Sequence, residues 1–111
     1  MFIRSAFWIG RARPEEEGKL KDIIEERLAP AIVRLPGVAN VRVLWPKDVE
    51  DSPPSIFCQI LIECESREAL YILLACPERP ALRATILKEA LSLFEGSVSH
   101  INYEVACALS G

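Results

Sequence analysis

The chain has 111 residues, half of them hydrophobic, a formal charge of −3 and a single histidine. That length and apolar share supply one packed core, so a single domain over 1–111 is expected. A sequence pI of about 5.2 leaves no basic footprint for nucleic acid. No apolar run is long enough to span a bilayer, and the amino terminus lacks the layout of a signal peptide. Neither nucleic acid nor a membrane is therefore expected as a partner, and the expected address is cytoplasmic.

Residues 2–9, "FIRSAFWI", alternate as a β-strand does, with Phe2, Arg4, Ala6 and Trp8 on one face and Ile3, Phe7 and Ile9 on the other. "GRARP" breaks the strand, and Pro14 followed by three glutamates reads as a helix start. Leu20, Ile23, Ile24, Leu28, Ala31, Ile32 and Leu35 recur at three- and four-residue steps, which predicts an amphipathic helix to about Leu35. Pro30 lies inside that pattern and predicts a kink or a break.

Residues 38–45 form a second strand, with Ala39, Val41, Val43 and Trp45 opposite Val38, Asn40, Arg42 and Leu44. The charged, proline-rich stretch 46–54 reads as a mobile hairpin connection, with a lid over a pocket as its functional alternative. A third strand, 56–65, has one purely apolar face of Ile56, Cys58, Ile60, Ile62 and Cys64; the other holds Phe57, Gln59, Leu61 and Glu63. Ser66 suits a helix N-cap. "PERP" separates that helix from a second over 81–94, which Gly96 is expected to close. The last strand, 98–107, sets Ile101, Tyr103 and Val105 against Val98, His100, Asn102 and Glu104.

The order βαββαβ predicts an α+β, ferredoxin-like fold: a four-stranded antiparallel sheet with both helices on one face. With the most apolar strand faces turned toward the helices, the open face collects Arg4, Trp8, Asn40, Arg42, Gln59, Glu63, His100, Asn102 and Glu104 beside Phe2, Leu44, Phe57 and Leu61. Such a face calls for a cover, and a second copy related by two-fold symmetry would enclose a cavity lined by these groups.

The four cysteines lack the spacing of a zinc site. Cys58 and Cys64 on one strand lie roughly 20 Å apart, beyond disulfide reach, and the thiols read as reduced core groups. No phosphate loop, dinucleotide fingerprint or metal-protease motif occurs, so no cofactor and no metal are expected.

With its βαββαβ order, "LAPAIVRLPGV" at 28–38 and "LFEGSVSHINYEV" at 93–105, the chain resembles the EthD-like members of the dimeric α+β barrel superfamily. The family takes its name from a protein associated with bacterial ethyl tert-butyl ether degradation. The resemblance implies a homodimer whose two sheets form one barrel around a small-molecule pocket. Its relatives include cofactor-free monooxygenases, polyketide cyclases, muconolactone isomerases and haem-degrading enzymes.

His100 has two readings: an ordinary imidazole on a polar strand face, or a general base or substrate anchor, being the one side chain that titrates near neutrality unperturbed. With the last strand antiparallel to the first, it falls across from Ala6 or Trp8, and Asn102 or Glu104 falls across from Arg4. Arg4 either pairs with Glu104 or, like Arg42, holds a substrate oxyanion. Trp8 is the stacking candidate, on the face opposite Trp45. Asn40, Gln59, Glu63 and Asn102 complete the substrate-binding set. The function these readings support is an isomerase, cyclase or cofactor-free monooxygenase acting on an apolar or aromatic metabolite, with His100 transferring protons. The alternative is a non-catalytic ligand-binding or accessory protein of an oxidative degradation pathway.

Overall fold

The computed structural model describes residues 1–51 and 54–111. Its elements follow the expected βαββαβ order: β1 (Phe2–Ala12), α1 (17–33), β2 (Asn40–Leu44), β3 (Ile56–Cys64), α2 (Arg67–Ala75), α3 (78–92) and β4 (Phe94–Glu104). The four strands form one antiparallel sheet in the order β2-β3-β1-β4, and the helices bury one face of it around a single core. Residues 52 and 53 of the 46–54 connection, and with them part of the candidate lid, lie outside the described residues.

Pro30 does not break α1, which runs on through it to Val33. A π-helical turn at Ile24–Leu28 precedes it, in which the Ala29 N–H donates to the Ile24 carbonyl. Widening the helix by one residue accommodates a ring that would clash with the carbonyl four residues back and that has no N–H to donate. α3 carries a matching π turn at Arg83–Leu87. The two π turns pack together, and Arg27 of α1 bridges Glu89 of α3 at 2.8 Å. Ser66 caps α2 as expected, its hydroxyl accepting from the Ala69 N–H at 3.1 Å.

The expected division of strand faces holds for β2 and most of β3 and is inverted for β1 and β4. Ala6 and Trp8 pair with Ile60 and Cys58 of β3, so they share its helix-covered face. Trp8, only 1 % exposed, stands edge-on to Phe94 with ring centroids 5.2 Å apart. Ile3, Phe7, Ile9, Ile101 and Tyr103 consequently line the bare face. Phe57 is the extra residue of a bulge between the Trp8–Cys58 and Ile9–Ile56 pairs. It joins the core beside Phe94 and Trp45, and Ile56 turns with Ile9 to the bare side.

Gly96 does not close a helix. It lies within β4, which begins at Phe94, and it pairs with Gly10 of β1. Both glycines have positive φ, 138° at Gly10 and 147° at Gly96. A Cβ on Gly10 would stand 2.1 Å from the Glu95 carbonyl oxygen, and one on Gly96 would stand 2.0 Å from that of Ile9. Gly96→Ala should therefore destabilise the protein by about 2–3 kcal/mol, read as a lower denaturant midpoint with an unchanged slope.

Candidate functional site

Over Arg4, Ala6 and Trp8 of β1 a cleft of about 80 Å³ opens between sheet and helices. Its floor is the sheet: Ala6, Trp8, Ile60, Ile62 and Val98. Its walls are Leu28, Ile32 and Leu35 from α1 and the segment after it, Leu73 from α2, and Leu82 and Leu87 from α3. Ala6 gives the floor its depth, because a methyl group stands there between the larger Arg4 and Trp8. The polar groups at the cleft are four cationic or basic side chains: Arg4 of β1, His100 of β4, and Arg79 and Arg83 of α3.

His100 pairs with Ala6 and Asn102 with Arg4, a register the sequence allowed. Arg4 does not pair with Glu104, which lies across from Phe2; its Nη1 donates to Asn102 Oδ1 at 3.0 Å. Arg79 donates to the Leu74 carbonyl at 3.3 Å, which fixes its guanidinium at the end of α2. Among the described residues Arg4, Arg79 and Arg83 form no ion pair; the bridges involve Arg11, Arg13, Arg27 and Arg42.

His100 is open to solvent along the outer edge of β4 while its ring also lines the cleft. Burial on that inner side, then the charges of Arg4, Arg83 and Arg79, push its pKa down to about 4. Arg4 is likewise held below its ordinary value by burial and by the facing Arg79 and Arg83. The imidazole is thus neutral at pH 7, able to accept one hydrogen bond and donate another.

The residues expected to share one surface are divided between two. Arg4, Trp8, His100 and Asn102 lie on the helix-covered face, with the first three lining the cleft of a single chain. Trp8 and Trp45 therefore fall on the same side of the sheet, where Trp45 donates to Glu25 at 2.7 Å. Asn40, Arg42, Gln59 and Glu63 stay on the bare face. There Arg42 pairs with Glu63, Asn40 donates to Glu63 at 3.2 Å, and Gln59 donates to Ser5 at 3.4 Å. The cavity anticipated between two sheets is thus not where Arg4, Trp8 and His100 converge.

Arg79 and Arg83 were not expected at the site. The signal for them is their phase: four residues apart, they fall on the stripe of α3 that also bears Leu82, Ile86 and Leu87, where the core-facing stripe of an amphipathic helix would carry apolar residues only. Among the described residues no three His, Cys, Asp or Glu side chains are grouped to hold a metal, and no helix is long and apolar enough to cross a membrane.

No protein-family model matches the sequence, and no curated protein matches it. Solved structures do. An ethyl tert-butyl ether degradation (EthD) family protein from Bacillus halodurans superposes with a TM-score of 0.72 at 16% identity, over 95% of this chain and 98% of that one. The haem degrader MhuD of Mycobacterium tuberculosis, solved with two haems in its active site, gives 0.68 at 19% identity over 99% and 100% of the two chains. SnoaB, a cofactor-independent oxygenase of Streptomyces nogalater, gives 0.62 at 15% identity over 99% and 96%. The protein has the ferredoxin-like α+β fold shared by these EthD-type and monooxygenase-type structures.

Folding lowers the His100 pKa from 6.5 to about 4, so between those values the unfolded chain binds the proton more readily. The contribution of His100 to stability is intact above pH 6.5 and is lost as pH falls through that window. An NMR titration of the single imidazole should show a midpoint near 4, and Arg83→Ala should move it upward. A midpoint at the ordinary value in both proteins would place the ring outside the cleft.

Proposed function

We propose that this protein binds a small, largely apolar or aromatic metabolite in the cleft between its sheet and helices, and that His100 exchanges a proton with it. The observation that carries this reading is the lining itself: an apolar floor and walls, with one neutral imidazole and three guanidiniums at the polar end. A neutral His100 is a proton acceptor, and the arginines beside it are placed to stabilise an enolate or phenolate oxygen as it forms. Isomerisation, cyclisation and cofactor-free oxygenation each need such a proton transfer. Resemblance in fold to an EthD family protein, a haem degrader and a cofactor-independent oxygenase supports the choice of a small-molecule site.

The lowered pKa of His100 favours a second reading, a binding protein without chemistry, because an imidazole that titrates at about 4 is a weak base at neutral pH. An anionic substrate would offset the arginine charges and restore its basicity. Incubation with a panel of aromatic ketones and phenols, followed by mass spectrometry, separates the two readings. Under the catalytic reading His100→Ala keeps binding and lowers turnover by about a hundredfold or more. Saturable binding with no product across the panel supports the binding protein. Ala6→Phe, which fills the floor, should abolish binding in either case.

The bare sheet face, with Ile101 46% and Tyr103 43% exposed beside Leu44, Phe7 and Ile3, is the surface through which we expect two copies to associate. Light scattering after gel filtration should then report twice the chain mass of 12.4 kDa, and Ile101→Glu should return a monomer. A monomeric parent protein would refute the dimer and leave the cleft intact.

A further inference from the structure

Three guanidiniums at one end of an apolar cleft repel one another, and among the described residues no carboxylate lining the cleft offsets that repulsion. The protein carries more acids than bases, yet among the described residues the ion pairs lie elsewhere. Arg4 spends one nitrogen on Asn102 and Arg79 one on Leu74, while the Arg83 guanidinium makes no hydrogen bond among the described residues. Since each guanidinium has five N–H donors, most of this donor capacity is free and faces one space. Charges clustered without a structural use are characteristic of sites that bind an opposite charge.

We propose that the cleft selects an organic carboxylate, its carboxylate held by Arg83, Arg79 and Arg4 and its apolar or aromatic body lying over Ala6, Ile60 and Leu73. This rests on the reading of the cleft as a small-molecule site and specifies what that site takes. The apolar lining argues against a bare inorganic anion, which would leave the floor and walls exposed to water and gain nothing from them. His100, flanked by Arg4 on β1 and by Arg79 and Arg83 on α3, becomes easier to protonate once the carboxylate neutralises those charges.

The test uses calorimetry on the full chain at pH 7 with a matched pair of probes, 2-naphthoate and 2-naphthalenemethanol, and with inorganic phosphate. The naphthoate should bind at least about tenfold more tightly than the alcohol, as expected for charge-assisted hydrogen bonds, and salt should weaken the naphthoate alone. Arg83→Ala, on an exposed helix position, should weaken the naphthoate about tenfold and leave the alcohol unchanged, with Arg83→Gln behaving alike. Equal affinity for the two naphthyl probes, unmoved by either variant, would overturn selection for a carboxylate and leave the cleft reading standing. Phosphate binding as tightly as naphthoate would also overturn it. If neither naphthyl probe binds, or if binding survives Ala6→Phe, the cleft reading fails and the carboxylate with it.

Discussion

Everything at the candidate site depends on where Trp8 goes. In an antiparallel ladder, side-chain facing is shared across paired residues, so a strand cannot choose its face alone. Once the indole sits beneath the helices against Phe94, Ala6 and Arg4 must follow it. Their partners on β4, Val98, His100 and Asn102, follow in turn. Burying one large aromatic ring thus brings the only histidine of the chain to a helix-covered cleft and sends Ile3, Phe7 and Ile101 to the opposite side.

That decision was the part of the fold least legible in the sequence. β2 and β3 could be oriented from alternation because β3 has one face without a polar residue. β1 offers Phe, Ala and Trp on one side and two isoleucines and a phenylalanine on the other, and reading its one arginine as the mark of the open face turned the strand the wrong way. Arg4 is tolerated on the covered side because it stands at the mouth of the cleft, where its head reaches Asn102. Element order and the Ser66 cap followed from local chemistry, whereas the sequence left His100 across from either Ala6 or Trp8 and the structure pairs it with Ala6. Gly96 misled for a related reason: glycine ends helices, and it also permits two backbones to approach closely, and only the cross-strand partner Gly10 distinguishes the uses.

The site shows the same division. His100, Arg4, Trp8 and Asn102 were recognisable as polar or aromatic residues on alternating strands, but which of them meet depends on the facing of β1 and β4. Asn40, Arg42, Gln59 and Glu63 look equally functional in sequence; instead Asn40 and Arg42 satisfy Glu63 and Gln59 turns to Ser5 on the bare face. Arg79 was obscured by the prolines of "PERP", which read as an interruption, although α3 starts at Glu78 within that segment, and Arg83 lay in the expected helix without a cleft to mark it.

The π turn in α3 has a consequence for how such a site can change over time. One extra residue in the turn Arg83–Leu87 sets the phase of the segment before it apart from that of the segment after it. The later segment, with Ala90 fully buried, is committed to the core. The earlier segment brings Arg79, Leu82 and Arg83 to the cleft and buries no residue fully. The helix is thereby two modules in one rod, one packed into the core and one turned to the cleft, so substitutions in the second need not disturb the packing that holds the sheet.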